Sequence, residues 1–231
     1  MGIMDWLGFI TGVICVALIV IEKDSNWPIG VLNSIILLYV FYTQKLWATV
    51  GLQTFYTFEC LYGWWMWTRR DKLTGFKLIR IGNTPLGMFA ALTVLCVLGV
   101  AILYPILRYY EDPYPFWDAV VGVVSLAAEY LLCLKMRQAW TVYFCCDLVS
   151  MIILGLLGAW VTFGTYAVFM LLCVAGIFEW KRRFLNLQRD VIPLKETVCA
   201  GCGQNELHKM CPAHGTDVYM NPTHPDWGKN V

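Results

Sequence analysis

The sequence predicts an all-α membrane protein with seven transmembrane helices, two parallel three-helix bundles joined by a linking helix in a three-plus-one-plus-three order. Three observations carry that prediction. The chain of 231 residues is 59% hydrophobic and 14% charged, with a mean hydropathy of +0.60, which leaves too little polar surface to cover a water-soluble sphere of this size. Apolar runs close to the length a helix needs to cross a bilayer, about 20 residues, recur along the whole chain. Tryptophans at 27, 47 and 67 return at 140, 160 and 180, so a shift of 113 positions superimposes the two triplets. The same shift pairs Gly51 with Gly164, Gly63 with Gly176, and Arg69-Arg70 with Arg182-Arg183. An internal parallel repeat in a membrane chain is a transporter architecture, in which the solute site forms between the halves.

The first helix, roughly 4 to 21, has no basic leading segment and carries Asp5 near its start, which reads as a retained span rather than a cleaved signal. The second, 28 to 43, opens on Pro28, a residue suited to a first helical turn. The third, 47 to 66, is bounded by Trp47 and by the tryptophans at 64, 65 and 67. After a loop broken by Gly75 and Gly82 comes the fourth helix, 85 to 107. It has no counterpart in the repeat, and topology requires it: a bundle of three helices can be repeated in the same orientation only after one extra crossing. The second bundle follows as helices at 116 to 134, 139 to 157 and 160 to 179. Trp6 and Trp117 match at a shift of 111, which places a two-residue difference in the loop that follows each first helix. The resulting divisions are 1–70 (first bundle), 71–110 (loop and linking helix), 111–185 (second bundle) and 186–231 (a tail).

Charge sets the expected orientation. Arg69, Arg70, Lys72, Lys77 and Arg80 follow the third helix, Lys135 and Arg137 lie between the fifth and sixth, and Lys181, Arg182 and Arg183 follow the seventh. Lys45 and Arg108 stand on the opposite face. The positive-inside bias therefore predicts an outside N-terminus and a cytosolic C-terminus in a multi-pass protein of the plasma or inner membrane. With a net charge of +1 and basic residues confined to segment ends, no nucleic-acid partner is expected. The expected partners are the lipid bilayer and a small solute.

Polar groups inside the spans locate the solute. An ionisable side chain in hydrocarbon is costly unless it faces a cavity or a partner, which singles out Glu59, Glu129 and Asp147. Asn33, Ser34, Gln53, Tyr56, Ser125, Tyr130, Tyr143 and Ser150 add neutral groups at similar depths; the bland alternative is that they hydrogen-bond helices to one another. Three acids among many aromatics, with no Lys or Arg in the spans, suit a cationic or aromatic solute held by stacking, cation–π contact and hydrogen bonds. All three histidines lie in the tail, at 208, 214 and 224. Nothing in the spans pairs a nucleophile with a base, so an enzyme is not expected. Trp47, Trp67, Trp160 and Trp180 sit at helix ends and are expected in the interfacial belt. Trp27 and Trp140, which open the second helix of each bundle, are expected beside the polar cluster as a gate or stacking surface.

These residues also carry a family resemblance. Asn26-Trp27-Pro28-Ile29-Gly30, then Gln53, Tyr56 and Tyr62-Gly63-Trp64-Trp65-Met66-Trp67, resemble the PnuC-type nicotinamide riboside (vitamin B3) transporter family. Trp117-Asp118, Trp140, Asp147, Ser150 and Trp180-Lys181-Arg182-Arg183 extend the resemblance through the second repeat, so that it covers about residues 3 to 185. The resemblance implies a relative of the SWEET sugar carriers, importing a vitamin B3 nucleoside by facilitated diffusion with trapping by cytosolic phosphorylation, and a homotrimer. It implies that Asn and Gln side chains and a Trp-x-x-Trp pair hold the nicotinamide and ribose; joined to the polar residues above, the candidate substrate set is Asn33, Gln53, Tyr56, Glu59, Trp64, Glu129, Trp140, Tyr143, Asp147 and Ser150, with Asn26, Trp27, Pro28 and Gly30 as a gate motif. The family's Trp-x-x-Trp pair reads Trp140-Thr-Val-Tyr143 here. Glu129 and Cys60 stand where glutamines are usual, so thiamine or another cationic or aromatic vitamin is the alternative cargo, and a non-transporting seven-helix membrane protein the alternative function.

No cofactor is expected for transport itself. The tail is a separate feature, because Cys199-Ala-Gly-Cys202 followed by Cys211-Pro-Ala-His214 has the spacing of four tetrahedral zinc ligands. A zinc ion held there would be structural, since a closed four-ligand site leaves no open position.

Overall fold

The computed structural model describes residues 3–43, 45, 47–70 and 77–199. Seven helices occupy them, α1 (Ile3–Val20), α2 (Asn26–Thr43), α3 (Trp47–Thr68), α4 (Leu86–Tyr109), α5 (Pro115–Cys133), α6 (Gln138–Leu156) and α7 (Trp160–Cys199). The expected starts and ends agree within a few residues except at α7, which continues as one helix 20 residues beyond the expected 179. The extension carries Lys181, Arg182, Arg183 and Arg189, so it need not remain in hydrocarbon to stay helical. α2, α4, α5, α6 and α7 are long and apolar enough to cross a membrane. The apolar stretch of α1, Trp6–Val20, is shorter. α3 is diluted by Gln53, Thr54, Tyr56, Thr57 and Glu59, of which all but the exposed Thr54 face the interior.

Packing follows the duplication. In the first bundle α2 packs on α1 and α3; in the second, α6 packs on α5 and α7. The bundles meet through α3 against α5 and α1 against α7, the same contact taken twice, as a pseudo-two-fold axis demands. α4 touches α5 and buries none of its residues, so its apolar surface is left for lipid or another protein.

Hydrogen bonds fix the repeat register. Trp67 donates its indole N–H to the carbonyls of Leu132 and Cys133 at 3.2 and 3.1 Å. Trp180, 113 positions later, donates to Ile19 and Val20 at 3.3 and 3.2 Å. Each tryptophan thus clips the last turn of the other repeat's first helix, satisfying carbonyls that a helix end leaves without partners. The 113 register therefore already holds at Ile19 and Leu132, before the connecting loops. This corrects the expectation of a two-residue difference inside them, and Trp6 and Trp117 are not equivalent positions.

The loops after α1 and α5 are likewise copies. Glu22 N–H bonds Ile19 and Lys23 N–H bonds Leu18; Lys135 N–H bonds Leu132 and Met136 N–H bonds Leu131, all at 2.9 Å. These are Schellman ends, whose left-handed residue is usually glycine. Here Glu22 and Lys135 occupy it with φ of 60° and 55°. What the unusual side chains do there is direct: Glu22 and Lys135, equivalent residues of the two repeats, form an ion pair at 2.5 Å across the axis. Arg183 adds a second cation on Glu22 at 3.2 Å. Gly82 clasps the α5–α6 loop through its N–H to Lys135 and its carbonyl from Arg137, and Lys77 pairs with Asp24 at 2.6 Å. The basic loops thus gather on one face of the molecule.

Candidate functional site

Between the bundles, polar side chains from four helices converge. Tyr143 on α6 donates to a Glu129 carboxylate oxygen on α5 at 2.7 Å. Glu59 on α3 lies within electrostatic reach of Glu129, and so does Tyr56, one turn earlier on α3 and beside Ser125 of α5. One carboxylate oxygen of Glu59 is buried without a hydrogen-bond partner. Farther along α6, Asp147 and Ser150 are buried, and the Cys173 thiol of α7 sits 3.5 Å from Asp147. Tyr166 of α7 connects the two groups, within reach of Tyr56 on one side and Asp147 on the other. None of the three carboxylates has a Lys or Arg partner among the described residues. Such a constellation is complementary to a cation, and the three phenols offer stacking surfaces and hydroxyls to orient one.

The expected substrate residues divide in three. Tyr56, Glu59, Glu129, Tyr143, Asp147 and Ser150 are brought together as described, and Gln53 is buried on the same helix as Tyr56 and Glu59. Asn33 spends both amide hydrogens within the first bundle, on the Gly8 carbonyl at 2.6 Å and the Thr11 hydroxyl at 2.8 Å, which is the helix-gluing role. Ser34, equivalent by the 113 shift to Asp147, receives a hydrogen bond from Thr57 at 2.9 Å and so links α2 to α3. Trp64 is 41% exposed and does not join the buried set.

The tryptophans are redistributed. Trp67 and Trp180, expected in the interfacial belt, are 1% and 0% exposed and pack against each other at the axis with ring centroids 6.2 Å apart. Helix-end position suggested a membrane edge, but at this end the opposite repeat covers them. Trp160 is 68% exposed; the Trp47 side chain lies outside the described residues. Trp27 and Trp140 stack edge-on against Trp67 and Trp180 at 5.3 and 5.5 Å, each lying on a glycine whose Cβ would come within 2.1 Å (Gly63) or 2.3 Å (Gly176) of its ring. The four indoles are thus one core, continuous through Lys135, whose ammonium stands 4.3 Å over the Trp67 ring. Trp140, expected as a gate or substrate-stacking surface, is packed within this core.

In the rest of the gate motif, Pro28 is exposed and Gly30 lets the Cys60 and Cys15 sulfurs approach, at 3.1 and 3.2 Å from where its Cβ would stand. Asn26 is wholly buried with neither side-chain polar atom bonded, and the indole nitrogens of Trp27 and Trp140 share that state. Buried groups of this kind are costly until water or solute meets them.

Sequence reasoning missed Tyr166. The duplication held the signal, since Tyr166 is the 113-shift equivalent of Gln53. Of the four expected metal ligands, Cys199 is the last residue of α7; Cys202, Cys211 and His214 lie outside the described residues.

Comparison with known proteins agrees with this architecture. The chain is 24% identical over 206 residues to the nicotinamide riboside transporter PnuC of Escherichia coli (strain K12), covering 77% of this chain and 85% of that protein. It is 29% identical over 198 residues to the riboflavin/roseoflavin transporter RibM of Streptomyces davaonensis, covering 83% and 89%. The fold is similar to the crystal structure of the vitamin B3 transporter PnuC, with a TM-score of 0.62 at 20% identity over 78% of this chain and 80% of that one. The nicotinamide mononucleotide transporter family matches residues 2–182, both repeats and the helix that links them. With its duplicated seven-helix body and its polar interior, this chain belongs to that family of membrane transporters.

Proposed function

We propose that the protein imports nicotinamide riboside by facilitated diffusion, and that phosphorylation in the cytosol then retains the solute. The observation that supports this most is the set of carboxylates, Glu59, Glu129 and Asp147, that lie between the repeats with no Lys or Arg partner among the described residues. A pyridinium nucleoside supplies the missing charge, and its ring and ribose hydroxyls suit Tyr56, Tyr143 and Tyr166. Thiamine, whose thiazolium also carries a positive charge, is the second reading on the same observation. Riboflavin, the cargo in the name of one relative, is uncharged in its ring and draws no benefit from three acids.

Uptake by proteoliposomes tests the reading. Labelled nicotinamide riboside should enter down its gradient and be unaffected when proton or sodium gradients are collapsed. Unlabelled thiamine should compete more weakly, and riboflavin least. Glu129→Gln should lower uptake by at least about tenfold, the worth of one charge-assisted contact, while leaving the protein in the membrane. If neither cation is taken up, the vitamin reading is wrong.

The proposal includes the orientation that the basic loops favour, N-terminus outside and C-terminus cytosolic, which labelling of single cysteines placed in the α2–α3 and α5–α6 loops distinguishes. It also includes the homotrimer that the family resemblance implies; α4, unburied within the chain, has surface available for it, and a mass measurement in detergent decides. For the tail, the Cys-x2-Cys and Cys-x2-His spacing supports one structural zinc per chain held by Cys199, Cys202, Cys211 and His214. Metal analysis should show one equivalent lost in Cys202→Ser; equal zinc in wild type and variant would remove the site.

A further inference from the structure

An open cleft of about 460 Å³ lies on the face where the basic loops gather, away from the carboxylates between the bundles. Arg70, two residues past α3, Lys77 and Arg80 before α4, and Arg183 and Asn186 of α7 line it, with Glu22 as the one carboxylate among the described residues of its wall. That carboxylate is already shared by two cations, Lys135 and Arg183. Even when Asp24, which holds Lys77, and Glu179, which holds Arg183 at 2.8 Å, are added, the cations Arg70, Lys77, Arg80, Lys135 and Arg183 outnumber the acids among the described residues around the opening. Arg80 is exposed and forms no ion pair among the described residues. Ile79, Ile81 and Leu187 complete the lining with an apolar surface.

We infer that this cleft binds a phosphate group carried on a partly apolar body. A phosphate ester presents close to two negative charges at neutral pH and three strong acceptor oxygens, and arginine side chains match it with paired N–H donors. The volume accommodates a nucleoside monophosphate, and the aliphatic wall suits either a base and sugar or the upper part of a lipid chain. The ligand touches both repeats at once, Arg70 and the loop after the first bundle on one side and α7 of the second bundle on the other. It therefore ties together the two halves whose relative movement transport requires. Resting on the proposed transport direction, this places the site where a phosphorylated product of the imported nucleoside is formed. The headgroup of an anionic lipid in that leaflet offers the same chemistry.

Binding is measured on the full chain in phosphatidylcholine nanodiscs, with inorganic phosphate and nicotinamide mononucleotide as soluble probes. A free phosphate ligand predicts saturable binding of the mononucleotide that weakens as salt is raised and by about tenfold in Arg80→Gln, the loss expected for one charge-assisted contact. A lipid ligand predicts no soluble binding but a higher melting temperature when phosphatidylglycerol replaces phosphatidylcholine, an increase absent in Arg80→Gln. Asn186→Ala, an exposed substitution, serves as second variant and should weaken whichever ligand binds. Absence of both effects, or equal effects in wild type and both variants, overturns the site. These readouts do not involve transport, so a protein that binds the probes but takes up no vitamin would refute the function proposed above and leave this site standing.

Discussion

Glu22→Gln should destabilise the protein by about 3–5 kcal/mol, whereas Lys135→Met should cost only about 1 kcal/mol, although the two substitutions break the same ion pair. The asymmetry comes from burial and from the third member. The Lys135 side chain is 0% exposed, and Glu22 provides its carboxylate at 2.5 Å. Removing Glu22 strands a charged lysine inside the protein with the Trp67 ring beneath it and no carboxylate nearer than Asp24, which acts on it only through space. Removing Lys135 leaves Glu22, 21% exposed, still paired with Arg183. The double variant should resemble Lys135→Met alone, since the uncompensated charge is gone. Denaturant unfolding in detergent measures all three, and equal losses in the two single variants would sink the assignment.

The pH dependence follows with a definite sign. Burial pulls Lys135 below its ordinary pKa of 10.5, and Glu22 opposes the fall. Between the lowered value and 10.5 the unfolded chain binds more protons than the folded one, so stability rises with pH across that interval. Without Glu22 the opposition disappears and the interval extends downward. The deficit of Glu22→Gln relative to wild type should therefore narrow as the pH is raised toward 10.5.

Much of this architecture is legible in the spacing of a few residues, because a duplicated chain repeats the constraints of its packing. The tryptophans at 67 and 180 and the glycines at 63 and 176 recur together because an indole from the preceding helix must lie on each glycine. What spacing does not show is which contacts cross the axis. Trp67 at a helix end reads as an interfacial anchor until Leu132 and Cys133, 65 and 66 positions away, arrive to accept its hydrogen bond. Glu22 and Lys135 lie in short loops where charges are ordinary, and their pairing depends on a fold in which equivalent residues meet. In the candidate site, Glu59, Glu129 and Asp147 stand out in the sequence because acids in apolar helices need a reason. Asn33 does not, since the same amide serves equally to bind a solute or to hold α1 against α2. Tyr166 escaped because tyrosine in a membrane helix is unremarkable until its equivalence to Gln53 is noticed.

Trp140→Ala should cost about 3–5 kcal/mol, the range for deleting a buried indole. The consequences extend past the cavity, because Trp140 braces Trp180 edge-on at 5.5 Å and Trp180 is the clip on Ile19 and Val20 of the other repeat. Gly176→Ala strains the same contact from the opposite side: the new methyl would stand 2.3 Å from the Trp140 ring, which must shift and carry Trp180 with it. Overpacking of this kind costs about 1–3 kcal/mol. In the double variant the methyl enters space the indole has vacated, so Gly176→Ala should lose most of its effect in the Trp140→Ala background, a coupling that two independent sites would not show. The repeat predicts the same cycle for Trp27 and Gly63, where the distance is 2.1 Å. Thermal unfolding in detergent, followed alongside uptake, separates this packing role from a ligand-stacking one. A Trp140→Ala protein that kept its melting temperature and lost only transport would place the indole on the solute. One that loses the melting temperature places it where the structure does, in the seam that holds the halves together.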